Sequence, residues 1–163
     1  MKPVTASLRA PCEPGELFRW VDDLSHYPRW LDLVRRAEPL AVGEGAGEPT
    51  WTVVLAAQIG PLRRSKQLTM VRTVLEEGRR ARFERREPDG RDHAAWVLQA
   101  EVRALTPDEA AGLSGVSAGA VPARSELTMT MHYDGQWWAP LVERVLVEQI
   151  DRARPRLLAL VGG

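Results

Sequence analysis

His26, His93 and His132 are the only side chains here whose ordinary pKa lies near neutrality. They are too scattered for an HxxxH pair, and Cys12 is the single cysteine, so no metal site is expected. His93 follows the Asp89-Gly90 turn and precedes Trp96 by three residues. It could serve as an acid or base at a cavity rim, but a surface histidine beside Asp92 is the simpler expectation. Ser25-His26 and Asp22-Asp23 hold the residue types of a catalytic triad. Sequence neighbours on a helical turn point apart, however, and no nucleophile elbow accompanies them. Asp22 and Asp23 therefore read as solvated or capping charges. Gly43-x-Gly45-x-Gly47 lacks the lysine and the following helix of a phosphate loop and precedes a strand, so it reads as a hairpin turn. These grounds assign no catalytic residue and no cofactor.

Polar residues at inward strand positions carry more information. Arg72 has the parity of Met70, Arg85 that of Phe83, and Gln149 stands one helical turn beyond Val145. A charge at an inward position is costly unless it is paired or meets a ligand. Arg72 is thus a candidate for an acidic or carbonyl group. The alternative, which carries more weight, is a local twist that turns Arg72 to solvent or onto Glu84.

The elements that must position these groups follow from periodicity. Val4–Ala10 reads as a strand, and Pro11 and Pro14 end it and open a helix. Leu17, Phe18, Val21 and Leu24 give that segment one apolar stripe. Ser25 is expected to cap a second short helix that carries Tyr27, Trp30 and Leu31. Strands are expected over 34–42, 51–59, 64–75, 79–87, 93–105 and 125–133, with Glu77-Gly78 and Asp89-Gly90 as hairpin turns. The Ala/Gly/Ser-rich stretch 106–123 reads as a flexible loop. A long amphipathic helix, 137–161, closes the chain, and Pro155 is expected to kink it.

Alternation assigns the inner faces. Trp51, Val53, Leu55 and Ala57 share one; Leu68, Met70 and Val74 the next; then Ala81 and Phe83, Trp96 and Leu98, and finally Leu127, Met129, Met131 and Tyr133. Trp138, Leu141, Val145, Leu146 and Ile150 lead the helix stripe. These positions either line a cavity or fill a solid core.

Composition narrows the function classes. The 163 residues fit one domain, 1–163, and 22 Lys/Arg balance 22 Asp/Glu, so no global attraction to nucleic acid or anionic membrane is implied. The segment Arg63–Arg91 is the exception, with ten basic residues against five acids, and Lys2 and Lys66 are the only lysines of the chain. An Arg-rich, solvated outer face is the expected reading of that segment. A lone cysteine and the lack of a long apolar run point to a soluble, cytoplasmic protein with no transmembrane segment.

One family has this order of elements. Ala10-Pro11, Leu17-Phe18, Val21-x-Asp23 and Tyr27-Pro28-x-Trp30 at the start, and His132-Tyr133-Asp134-Gly135 running into the last helix, resemble the START-like superfamily, also called SRPBCC. The likeness is strongest to its polyketide cyclase/dehydrase and coenzyme Q-binding-like branch. It implies an α+β helix-grip fold, a curved antiparallel sheet of about seven strands wrapped around the C-terminal helix. It also favours a cavity over a solid core. The implied ligand is a hydrophobic small molecule, lipid, polyketide or isoprenoid-like, bound by a monomer or homodimer. Trp30, Trp51, Val53, Leu55, Leu68, Met70, Phe83, Trp96, Leu98, Met129, Met131, Trp138, Leu141 and Val145 would make the wall, with Arg72, Arg85 or Gln149 setting orientation. A cyclase or dehydratase is the second reading. An adaptor using Arg63–Arg91 on RNA, a ribosome or an anionic membrane is the third.

Overall fold

A computed structural model describes residues 3–41, 47–111, 124–134 and 139–161. The strands are β1 (Val4–Ala10), β2 (Val34–Pro39), β3 (Thr50–Ile59), β4 (Leu62–Glu76), β5 (Arg80–Arg85), β6 (Trp96–Ala104) and β7 (Ser125–Tyr133). The helices are α1 (Pro14–Phe18), a 3-10 helix (Leu24–Arg29), α2 (Pro107–Ala111) and α3 (Ala139–Val161). All seven strands join one antiparallel sheet in the order β1-β7-β6-β5-β4-β3-β2, curled into a half-barrel with α3 against it.

The turns explain why so many strands form in so short a chain. β3 and β4 meet at the two-residue loop Gly60-Pro61, with Ile59 paired to Leu62. Gly60 has φ of +60°, a conformation that costs a side-chain-bearing residue and that hairpin turns require at their first central position. Gly78 (φ +74°) instead takes the second central position of the turn between β4 and β5, closed by the Arg79 amide donating to Glu76 O at 2.9 Å.

Several boundaries and faces differ from the sequence expectation. Asp23, not Ser25, caps the 3-10 helix: its carboxylate accepts from the Ser25 amide at 2.9 Å, so the cap lies two residues earlier. The stretch expected to be a loop starts with α2, held by a capping exchange in which the Thr106 amide donates to Glu109 and the Glu109 amide to the Thr106 hydroxyl (both 3.2 Å). Residues 112–123, 42–46 and 135–138, and with them most of the proposed glycine turn and Trp138, lie outside the described residues. Val74 leaves the inner face because β4 carries a bulge between Arg72 and Val74. Arg72 pairs with Phe83 whereas Val74 pairs with Arg82, so parity reverses there.

The concave face is closed at one end by aromatics. Tyr27 and Trp30 are fully buried, their rings 4.8 Å apart, and Phe83 lies edge-on to both Tyr27 and Trp51. Each polar tip finds a carbonyl: Tyr27 Oη donates to Val21 O at 2.9 Å and Trp30 Nε1 to Trp20 O at 3.0 Å. Burial therefore raises the Tyr27 pKa well above its ordinary value, and the hydroxyl serves only as a donor. On the same side, Ile150, Ala153, Leu157 and Val161 of α3 are buried, and Arg154 Nε donates to Ser7 O at 3.2 Å on edge strand β1. The opposite edge strand, β2, is only six residues long. It exposes Arg35, Arg36 and Glu38 and ends at Pro39.

Candidate functional site

A cavity of about 270 Å³ opens between the N-terminal part of α3 and the β3–β4 hairpin. Its wall combines Leu33, Leu55, Ala56 and Ala57 with Trp96, Tyr133, Val145 and Leu146, while Arg64, Ser65 and Lys66 come from β4. Cross-strand register explains Arg64 and Lys66. Trp51 pairs with Met70 and Val53 with Leu68, all four buried, and the same ladder continues as Leu55 with Lys66 and Ala57 with Arg64. Opposed residues of an antiparallel pair share a face, so Lys66 and Arg64 project from the concave side. They are exposed, whereas Leu33, Tyr133 and Leu146 are buried, so the cavity grades from a cationic mouth to an apolar floor.

Of the residues expected to make a wall, Leu55, Trp96 and Val145 line this cavity. Val53, Leu68, Met70, Leu98 and Met131, again with Leu55 and Trp96, surround a smaller void of about 30 Å³ that continues inward. Trp30 and Met129 face a third void of about 20 Å³ beneath Ile150 and Leu157. Trp51 and Phe83 are core. The Leu141 side chain, like Trp138, is outside what is described.

The inward charges singled out by parity are engaged internally. Arg72 neither reaches solvent freely nor pairs with Glu84, which instead meets Arg82 at 3.5 Å. Its Nη1 donates to Asp22 O at 2.8 Å and its guanidinium lies 5.9 Å from the Trp51 ring centroid. It clamps the segment between α1 and the 3-10 helix onto the sheet. Burial raises the pKa of the Asp22 carboxyl, an effect the Arg72 charge partly offsets. The adjacent Asp23 carboxyl is lowered: burial would raise it, but the Ser25 bonds outweigh that. The Trp51 indole lies close enough to help hold Asp23 ionised, without reaching hydrogen-bond geometry.

Arg85 is more deeply placed, with only 6% of its side chain exposed. It donates to Glu87 at 2.8 Å, to Ala94 O at 3.2 Å and to His93 Nδ1 at 3.3 Å. His93 in turn uses Nε2 to reach the Asp89 carboxylate at 2.9 Å, so it pairs with Asp89 rather than Asp92 and stands outside the cavity wall. Gln149 is not among the wall residues; its Oε1 is buried with no partner among the described residues, as is the Trp96 indole N–H.

Lys66 and Arg64 escaped the sequence reading although their signal was present. They lie two and four residues before Leu68, at its parity. Burial first, then the Arg85 charge, lowers the Lys66 pKa, and Glu87 opposes this. Among the described residues its ammonium makes no hydrogen bond or ion pair. No group of three metal-ligating side chains gathers among the described residues, and no helix there is long and apolar enough to cross a membrane. Cys12 is buried beside Ser125, with Sγ 3.7 Å from Oγ, and burial raises its thiol pKa.

No family model and no curated protein matches this chain. Solved structures do. It is similar to a START superfamily protein from Mycobacterium smegmatis, with a TM-score of 0.62 at 14% identity over 98% of this chain and 97% of that one. Protein CV1439 from Chromobacterium violaceum gives 0.63 at 13% over 99% and 97%. Ara h 8.0201 gives 0.58 at 12% over 98% and 97%. At such identities the likeness speaks to architecture alone, and it agrees with the strand order and the packed terminal helix: the chain has the START-like, helix-grip fold.

Proposed function

We propose that this chain binds a mostly apolar small molecule between the β3–β4 hairpin and the N-terminal part of α3, as a monomer or homodimer. The observation that carries this reading is the 270 Å³ cavity itself, walled mostly by aliphatic and aromatic side chains of the sheet and of the N-terminal part of α3. A START-like architecture commonly houses hydrophobic ligands, which supports the assignment. A ligand burying about 300 Å² of apolar surface gains roughly 7 kcal/mol before the costs of association. A cytoplasmic setting fits the lone buried thiol of Cys12.

Neither other reading gains a supporting observation. His93, the candidate acid or base, is tied to Asp89 and Arg85 outside the cavity. Several of the outer arginines are paired within the sheet surface, Arg80 to Glu76, Arg82 to Glu84 and Arg86 to Glu48.

Native mass spectrometry before and after denaturing extraction tests the assignment. A defined extra mass is expected on the protein and is absent from Ala57→Trp, whose indole would occupy the cavity. Protein that carries no adduct, and that shows no binding heat with a panel of apolar compounds, overturns the reading.

A further inference from the structure

We infer that the ligand is an amphiphilic anion, a single apolar chain or small ring system ending in a carboxylate, with its headgroup held at Lys66. This rests on the cavity reading above and adds the chemistry of the occupant. Two cations and no acid stand in the described wall, and both cations are at the mouth. The surrounding charges do not neutralise Lys66. Glu87, the acid nearest in charge to Lys66, already accepts from Arg85 at 2.8 Å and from the Thr69 amide at 3.1 Å. Asp89 is held by His93. A ligand carboxylate would therefore meet an ammonium with no competing acceptor, the arrangement in which charge-assisted hydrogen bonds are strongest.

Size restricts the class further. Ligand pockets for drug-sized molecules span about 300–1,000 Å³. At about 270 Å³, with about 30 Å³ more beyond Leu55 and Trp96, this cavity suits one short chain or one or two rings, not a two-chain lipid. The polarity runs the right way for entry tail-first: Trp96, Tyr133 and Leu146 lie at depth and Lys66 and Arg64 at the opening. Lysine is also informative here because the chain otherwise uses arginine, having only Lys2 and Lys66 as alternatives.

Calorimetric titration with decanoate, decanol and decyltrimethylammonium tests the inference on the full chain. Decanoate should bind about tenfold more tightly than decanol, and the cation least of all. Lys66→Met should remove that advantage and leave decanol affinity unchanged, whereas Lys66→Arg should keep most of it. Acylation of Lys66 by an amine-reactive ester, followed by peptide mass, should be slowed by decanoate far more than by decanol. Equal affinities for decanoate and decanol, or a Lys66→Met variant that keeps the preference, overturn the headgroup assignment and leave the cavity reading standing. Failure of all three to bind overturns both.

Discussion

Ile150, Ala153, Leu157 and Val161, on the C-terminal half of α3, are all buried, and the void beneath them is only about 20 Å³. Val145, less than two turns before Ile150, is half-buried over a cavity of about 270 Å³. One helix thus presides over two interiors, a packed end against β1 and β7 and an open end against β3 and β4. The difference teaches that cohesion and ligand capacity are separated along a single element. The packed end holds the sheet to the helix, which leaves the open end free to be concave.

Matched truncations would break this comparison most directly. Leu157→Ala is expected to cost about 4 kcal/mol in urea unfolding, the upper range for a buried leucine whose surroundings cannot collapse. Val145→Ala should cost below about 1 kcal/mol, because the cavity it faces is already present. Equal losses would show that both ends are equally packed.

Near the open end lies a mostly buried ion pair, Arg85–Glu87, and it sharpens the contrast. Arg85→Met leaves Glu87 partly buried without its cation and should cost about 3 kcal/mol by the same measurement. Arg85→Met with Glu87→Leu should recover most of that loss, since removing both charges also removes their desolvation. A double variant as unstable as the single would mean that the Arg85 bonds to Ala94 and His93 matter more than the pair.

Acid should act more gently, with Glu109 and Glu126 near β1 and β7 among the responding carboxyls. Arg103 and the Thr106 bonds hold Glu109 at about 2, and Arg9 and Arg103 lower the Glu126 pKa. A carboxyl depressed on folding stabilises above its unfolded value, about 4.5, and that stabilisation is lost as pH falls through the folded value. Tm should therefore decline between about pH 4.5 and 2, and Glu126→Gln should flatten the decline. A Tm equally sensitive in the variant would assign the acid response to the other lowered carboxyls, Glu109, Asp23, Glu84, Glu87 and Asp89.

The fold was largely legible because alternation and turn chemistry are local. β7 begins and ends where the pattern of Leu127, Met129, Met131 and Tyr133 places it, and the turns at Gly78 and Gly90 both have positive φ. The bulge near Thr73 was not legible, since nothing in the sequence there distinguishes a regular strand from one carrying an extra, unpaired residue. At the site, parity placed Arg72 and Arg85 correctly on the concave face. Their fate depended on Asp22 O and Ala94 O, carbonyls brought in by remote segments that no period-two reading can see. Lys66 was missed for a different reason. Its neighbours Arg64, Ser65 and Gln67 are polar at both parities, and a cation at the inner parity near a strand end resembles the place where burial stops.

The rims of the sheet bear on how the molecule behaves in company. Any open antiparallel sheet ends in two rows of unpaired amides and carbonyls that another strand could extend. Here β1 has its Ser7 carbonyl already taken by Arg154. β2 is brief, lined outward by Arg35, Arg36 and Glu38, and stopped by Pro39, which has no amide to offer. A strand approaching either rim must dehydrate charges for few bonds in return. The hollow interior can thus coexist with concentrated solutions, because the fold resists edge-to-edge polymerisation without needing a tighter core.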